Sequence, residues 1–271
     1  MVEISSIVSL APTTIKTVGS LYSTRKLIAS TVFNCISFAM SPKIVVTGVA
    51  GAGKTFLFDF IFQEIKSKKM NRPGPSVKDE NHILYLGSGA FPKKISIIPG
   101  QEMAISHELM SKNINNNTTL NGIIHLVDFG HSTPRDKYSE SSFEAKGIFN
   151  FDELRSYNLM QEVEYLERLT ERLRTSQNKP KWFCLVLSKT DLYKASDAIK
   201  YYENNSSFTA QLRKLEEMFP NGRLATFLPI CSDISTISYR KQNIHPRYVK
   251  NHSESVNMLV TLLTTIEMMD K

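Results

Sequence analysis

A glycine-rich loop between an apolar strand and a helix constrains the fold of this chain most strongly. Residues 48–55 read GVAGAGKT and fit the pattern G-x-x-x-x-G-K-[ST]. The preceding segment Lys43–Thr47 is typical of a short buried strand, and Phe56–Lys66 has the apolar spacing of a helix. Glycines let successive backbone N–H groups face one anion, and the helix N-terminus adds the positive end of its dipole. The segment therefore predicts a phosphate-binding loop in an α/β fold.

Each position of this phosphate loop has an expected role. Lys54 is expected to reach the β and γ phosphates of a nucleotide, and the Thr55 hydroxyl is expected to ligate Mg²⁺. The alternative is a glycine-rich turn with an incidental lysine, which the flanking strand and helix disfavour. The expected phosphate-binding positions are Gly48, Val49, Ala50, Gly51, Ala52, Gly53, Lys54 and Thr55.

The rest of the chain alternates apolar strands with amphipathic helices. Such alternation predicts a mostly parallel, six-stranded sheet with helices on both faces. The pair 82–87 and 93–98 is the exception, because Gly87-Ser88-Gly89 between them signals a hairpin. The predicted strands are 43–47, 82–87, 93–98, 122–128, 182–188 and 225–231, and the predicted helices are 54–66, 102–112, 157–175, 208–219 and 254–269.

A second motif follows the apolar strand that begins at Trp182. Residues 188–191 read SKTD, which resembles the guanine-reading [N/T]-K-x-D motif of P-loop GTPases of the Ras and Arf kind. One carboxylate can accept both the N1–H and the N2 amine of guanine, whereas adenine would leave Asp191 unpaired. Lys189 is expected to lie along the base, and the Ser188 hydroxyl to tie this loop to the phosphate loop. A surface turn with incidental Lys and Asp is the alternative.

Further segments resemble the same family in the expected chain order. Gly100 and Gln101 match the segment that contacts the γ-phosphate and orients the attacking water. The resemblance implies that the Ser76 hydroxyl is a second Mg²⁺ ligand. It also implies that Cys231 and Ser232 offer backbone N–H groups to the guanine carbonyl.

Two positions depart from the family pattern. Ile97 stands where the family has an aspartate that holds a water on Mg²⁺, and Ala50 places a methyl group near the γ-phosphate. Asp128 either compensates for the missing carboxylate or is the aspartate that many Arf-like proteins carry at the end of that strand. Both departures indicate weak catalysis or weakened Mg²⁺ binding.

The resemblance implies a G domain over residues 42–271, preceded by an N-terminal helical extension, 1–41. Residues 131–155 are expected to form a long polar loop, and loops are also expected at 70–81 and 113–121. Either Arg135 or Arg155 could act as an arginine finger, although a solvated charge is the simpler interpretation. The apolar stretch 27–40 is fourteen residues long, too short to span a bilayer, and indicates a packed helix or, alternatively, a peripheral membrane contact.

Composition limits the remaining classes. Of 271 residues, 41% are hydrophobic, which is enough for a core without disulfides. Three cysteines without paired spacing fit a reducing, cytoplasmic compartment. The net charge of +7 suits a phosphate ligand or an acidic membrane, and no nucleic-acid recognition motif accompanies it.

The sequence therefore predicts a protein that binds GTP and GDP with Mg²⁺ and acts as a switch. Hydrolysis is expected to be slow or partner-stimulated, and a protein effector or assembly partner is expected. The first alternative is a pseudo-GTPase subunit that binds GTP without useful turnover, supported by Ile97 and Ala50. The second is a P-loop ATPase or kinase, against which Asp191 argues.

Overall fold

The computed structural model describes residues 43–66, 80–84, 93–99, 108–134 and 137–270. Within these ranges no helix has the length and apolar character that crossing a membrane requires. The expected N-terminal extension, 1–41, and most of the 70–81 loop lie outside the described residues. The strands are β1 Ile44–Gly48, β2 Glu80–Leu84, β3 Lys93–Ile97, β4 Gly122–Val127, β5 Trp182–Leu187, β6 Leu224–Pro229, β7 Ile237–Tyr239 and β8 Gln242–Ile244.

The main sheet has the strand order β2-β3-β1-β4-β5-β6. Five of these strands run parallel, and β2 is antiparallel to β3, as the glycine-rich connection predicted. Every residue of β1, β4 and β5 is buried, which explains why these strands are nearly continuous apolar runs. The expected α/β fold of a G domain, with a mostly parallel sheet, is confirmed.

The helices cover this sheet and differ in places from the predicted bounds. A stretch of π-helix, Ser111–Asn115, lies where a surface turn was expected to begin. A ten-residue helix directly after the SKTD motif was not predicted. The α-helices are α1 Lys54–Lys66, α2 Lys137–Ala145, α3 Phe151–Thr175, α4 Ala195–Asn204, α5 Ser206–Met218 and α6 His252–Met269.

The prediction of a polar loop over 131–155 is wrong. Helix α2 occupies its centre, and α3 begins at Phe151, six residues before the predicted start at 157. A capping box explains that start: the Asn150 side chain accepts from the Glu153 N–H, and the Glu153 carboxylate accepts from the Asn150 N–H. Polar composition concealed two helices because their exposed faces are rich in charged residues.

The same region folds against the β7–β8 hairpin, which the sequence analysis also missed. Ile148, Phe151, Leu154 and Tyr239 form a small buried cluster apart from the main core. The Tyr239 hydroxyl donates to the Ile148 carbonyl at 2.8 Å, and Arg240 on the hairpin pairs with a glutamate of α2. Two segments that are far apart in sequence therefore form one satellite unit beside the carboxyl end of the sheet.

Candidate nucleotide-binding site

The phosphate loop leaves the carboxyl end of β1 and turns directly into α1. Gly48, Gly51 and Gly53 have φ angles of 139°, 80° and 87°, which side chains rarely adopt. A Cβ at Gly48 would lie 2.5 Å from the Leu126 carbonyl oxygen, so a side chain does not fit there. The sequence GVAGAGKT therefore places its glycines where the backbone needs them.

Lys54 folds back over this loop. Its Nζ donates to the carbonyls of Gly48 at 2.7 Å and Val49 at 2.8 Å, and the residue is only 7% exposed. These contacts hold the ammonium beside the curled backbone at the N-terminus of α1. The arrangement offers a fixed positive charge, backbone N–H groups and a helix dipole to a polyphosphate.

The base loop, Ser188–Asp191, leaves the carboxyl end of β5 close to the phosphate loop. The Ser188 hydroxyl donates to the Ala52 carbonyl at 2.7 Å, which is the link between the two loops that the sequence predicted. Tyr193 holds the same residue, because its hydroxyl donates to the Ser188 carbonyl at 2.5 Å. The base loop is therefore positioned by hydrogen bonds to both sides.

Asp191 is the residue of the base loop whose surroundings best fit a nucleotide base. The residue is 1% exposed, and its Oδ2 accepts the Ser235 N–H at 3.3 Å. Its Oδ1 is buried and has no hydrogen-bond partner among the described residues. Burial raises the pKa of this carboxyl above its ordinary value. An unsatisfied buried acceptor of this kind fits the paired donors of guanine.

Cys231 and Ser232 follow β6, and the Cys231 thiol lies beside Asp191. The Cys231 thiol is buried, and burial together with the Asp191 charge raises its pKa to about 12. The Cys231 thiol is therefore uncharged beside the Asp191 carboxylate. The expected contact of these two residues with the guanine carbonyl stays a prediction.

The chain segment before α6 is also hydrogen-bonded to the base loop. The Asp191 carbonyl accepts the N–H groups of Arg247 at 2.7 Å and Tyr248 at 3.0 Å. These contacts place the basic stretch that follows the β7–β8 hairpin next to the base loop.

Three expected site residues, Ser76, Gly100 and Gln101, lie outside the described residues. Their roles in Mg²⁺ binding, γ-phosphate contact and water positioning stay predictions. In the described part of the chain no group of three or more His, Cys, Asp or Glu could hold a metal. Of the two expected Mg²⁺ ligands, Thr55 lies within the described residues, at the start of α1. A single protein ligand there is compatible with Mg²⁺, because this ion usually takes few protein ligands and several phosphate or water oxygens.

Ile97, which replaces the family's aspartate, ends β3 inside the core. It is 1% exposed and pairs with Val46 of β1. Asp128 is fully buried, and its Oδ2 accepts from Lys189 at 2.6 Å and Ser132 at 2.7 Å. The described contacts therefore give this Oδ2 internal partners, whereas the buried Oδ1 of Asp128 has none among the described residues; compensation for the missing aspartate stays a prediction.

The structure adds a feature that the sequence analysis missed: the turn after β4, residues 128–132, is held by three polar side chains of α3. Arg155 donates to the Phe129 carbonyl at 3.2 Å, and Asn158 donates to the carbonyls of Gly130 and Ser132 at 3.0 and 2.8 Å. Glu162 accepts the Asp128 N–H at 2.7 Å. The spacing of positions 155, 158 and 162 along one helix face was the available signal.

The carboxyls at this β4 turn have opposite pKa shifts. Burial raises the pKa of Glu162 well above its ordinary value, and the neighbouring Asp128 charge raises it further. For Asp128, burial acts upward, but the Lys189 ammonium and hydrogen bonds from Glu162, Lys189 and Ser132 outweigh it and lower the pKa. Of the two carboxyls, Asp128 therefore ionises at the lower pH.

Solved structures that are similar to this chain share little sequence identity with it. The search of curated proteins found no match. The solved mammalian SRP receptor is 13% identical, with a TM-score of 0.45, over 70% of this chain and 90% of that one. A mutation variant of SsGBP is 14% identical, with a TM-score of 0.42, over 86% of this chain and 58% of that one.

The family match covers the phosphate loop, the base loop and the sheet between them. The model of the Gtr1/RagA G protein conserved region matches residues 43–228, well over half of the chain. The expected membership among P-loop GTPases is thereby confirmed. The protein belongs to the Gtr1/RagA G protein family.

Proposed function

We propose that this G protein binds GTP and GDP with Mg²⁺, hydrolyses GTP slowly and acts as a molecular switch. The observation that carries the proposal is the hydrogen bond from Ser188 to Ala52, which joins a base loop to a phosphate loop. It joins the loop that carries Asp191, whose Oδ1 has no partner among the described residues, to the loop that leads into Lys54.

The assignment of ligand groups follows from these positions. The backbone of residues 48–53 and Lys54 would hold the phosphates, and Asp191 would accept the guanine donors. Thr55 would ligate Mg²⁺ together with phosphate oxygens, and Ser76 would be its second protein ligand. Bound Mg²⁺ would neutralise charge that develops on the phosphates during hydrolysis.

Slow turnover is supported by the residue at position 97. A buried Ile97 cannot hold a water on Mg²⁺, so the metal would lack one outer contact. Gln101 supplies the remaining means of aligning a water with the γ-phosphate. A partner protein that completes the site would raise the rate, and the loops around 70–81 and 99–112 are the proposed switch segments.

The first experiment is competition among GTP, GDP and ATP for the purified protein, with and without Mg²⁺. Guanine nucleotides should displace a fluorescent GDP analogue and ATP should not. Lys54→Ala should remove most of the affinity while the circular dichroism spectrum stays unchanged. Equal displacement by ATP, or unaltered titrations of Lys54→Ala, would refute the proposal.

The second candidate function is a pseudo-GTPase subunit that binds GTP without useful turnover, and Ile97 is the observation that favours it. Single-turnover hydrolysis at saturating Mg²⁺ separates the two. We expect a slow rate in the wild type and a lower one in Gln101→Leu, with GTP affinity nearly unchanged. Equal rates in both proteins would favour the non-hydrolysing subunit.

A further inference from the structure

We infer that Asp128 is a positioning residue for guanine nucleotide binding, which acts by orienting Lys189 and by bracing the phosphate loop through Ser132. This inference rests on the proposed function, since it concerns the same nucleotide site. It assigns Asp128 no contact with the nucleotide or the metal. Its effect passes through two neighbours that border the two ends of the site.

The first neighbour is Lys189 in the base loop. Its Nζ donates to Asp128 Oδ2 at 2.6 Å and to the His131 carbonyl at 2.8 Å. Lys189 also has a φ of 57°, an uncommon backbone conformation for a side-chain-bearing residue. The ion pair at the end of the Lys189 side chain therefore fixes this side chain and the bend of the base loop, two residues before Asp191.

The second neighbour is Ser132, which touches the phosphate loop. The Ser132 hydroxyl donates to Asp128 Oδ2 at 2.7 Å. A Cβ built on Gly51 would lie 2.8 Å from that hydroxyl oxygen, so the loop backbone packs directly against it. One carboxylate oxygen thus connects the base loop with the centre of the phosphate loop.

Sheet topology explains why this position can reach both loops. β4 lies between β1 and β5, so its carboxyl end is adjacent to both the phosphate loop and the base loop. The turn that begins with Asp128 is itself held by Asn158 and Glu162 of α3. The backbone of Asp128 is therefore held by α3, and its carboxylate is a fixed acceptor for the groups that border the nucleotide site.

A purely structural ion pair is the alternative, and it makes a different prediction. A buried ion pair that serves folding lowers the free energy of unfolding when it is broken. It leaves the affinity of the protein that remains folded unchanged. Positioning of Lys189 instead predicts a loss of affinity in folded protein, and it predicts that this loss depends on Lys189.

The test is a double-mutant cycle on GDP affinity, measured with a fluorescent GDP analogue well below the unfolding temperature. Asp128→Asn should weaken binding by about tenfold or more, the range for a lost hydrogen bond to a charged group. Lys189→Met should weaken it comparably. The two losses should not multiply in the double variant, because both changes remove the Asp128–Lys189 contact.

Asp197→Asn is the matched control, since it makes the same chemical change at an exposed position of α4. It should leave GDP affinity unchanged. Ser132→Ala keeps the Asp128–Lys189 pair and should produce a smaller loss, which provides a second measurement if Asp128→Asn folds poorly.

Three outcomes would overturn the inference. Unchanged affinity in both Asp128→Asn and Ser132→Ala would show that the contacts serve folding alone. Losses that multiply in the double variant would show that Asp128 acts independently of Lys189. A wild-type protein that binds no guanine nucleotide would overturn the proposed function as well, and this result is distinguishable because it appears without any substitution.

Discussion

At the scale of single residues, Asp191 is the proposed determinant of which base the site accepts. Its Oδ1 is buried without a partner among the described residues, so a ligand with two adjacent donors would satisfy it. We expect Asp191→Asn to lower GTP affinity by about 1–3 kcal/mol and to raise the affinity for xanthosine nucleotides. Competition titrations of the wild type and the variant measure both effects. Full GTP preference in the variant would contradict the guanine assignment.

The same carboxyl should make nucleotide binding depend on pH. Burial raises the pKa of Asp191 in the free protein, whereas hydrogen bonds from guanine would stabilise its ionised form. Binding therefore releases a proton, and GDP affinity should strengthen as pH rises through this raised pKa, above the ordinary aspartate value of about 3.9. GDP titrations from acidic to neutral pH check this, and Asp191→Asn should flatten the profile. An equally steep profile in the variant would assign the proton elsewhere.

At the scale of elements, the pairing of β4 with β5 depends on one glycine at the start of β4. Gly122 is paired with Trp182 of β5, and a Cβ at Gly122 would lie 2.0 Å from the indole ring. The indole cannot move away easily, because it is fully buried and its Nε1 donates to Asp270 at 3.0 Å. The first register pair of β4 and β5 therefore requires a residue without a side chain.

We expect Gly122→Ala to lower the free energy of unfolding by about 1–3 kcal/mol, the usual cost of overpacking a core. It should also shift the native fluorescence of Trp182, the only tryptophan in the chain. Gly147→Ala is the control, since a Cβ there meets nothing within 4 Å. It should leave the fluorescence unchanged, although its positive φ carries a backbone cost. Identical spectra for all three proteins would contradict the predicted clash.

At the scale of the whole molecule, His125 connects β4 with β1, the strand that carries the phosphate loop, and with α3. It lies on β4, with its Nδ1 2.9 Å from the Thr47 hydroxyl of β1, and its ring stacks on Tyr165 of α3. Burial lowers its pKa to about 3, and the Lys54 charge acts in the same direction. The folded protein therefore holds this imidazole neutral, whereas the unfolded chain protonates it below about 6.5.

Acid should consequently remove the stability that His125 contributes. That contribution is fully present above about pH 6.5 and falls by about 1.4 kcal/mol per pH unit on acidification towards the folded pKa. We expect His125→Gln to be less stable than the wild type at neutral pH, with the difference shrinking as pH falls. Urea unfolding of both proteins across this range measures it. A constant difference would show that His125 does not titrate on unfolding.

Much of the fold could be predicted because its elements are local patterns. The phosphate loop and the parallel strands follow from glycine positions and apolar runs, which act over a few neighbouring residues. The loop predicted over 131–155 was wrong because α2 and the start of α3 have charged exposed faces. Their apolar residues, the half-buried Phe143 and the buried Phe151 and Leu154, pack on a hairpin about ninety residues later. Patterns read along the chain do not contain such distant contacts.

The sequence by itself determined the chemistry of the site: a lysine and glycines for phosphates, an aspartate for a base, and an isoleucine where a metal-linked carboxylate is expected. Only the tertiary structure decided how these groups are connected. The pairing of Asp128 with Lys189, and the clamp of α3 on the β4 turn, depend on three neighbouring strands ending at one edge. The physical reason is that a residue's type limits which bonds it can make, whereas its partner is set by which backbone segments the sheet brings within hydrogen-bond distance.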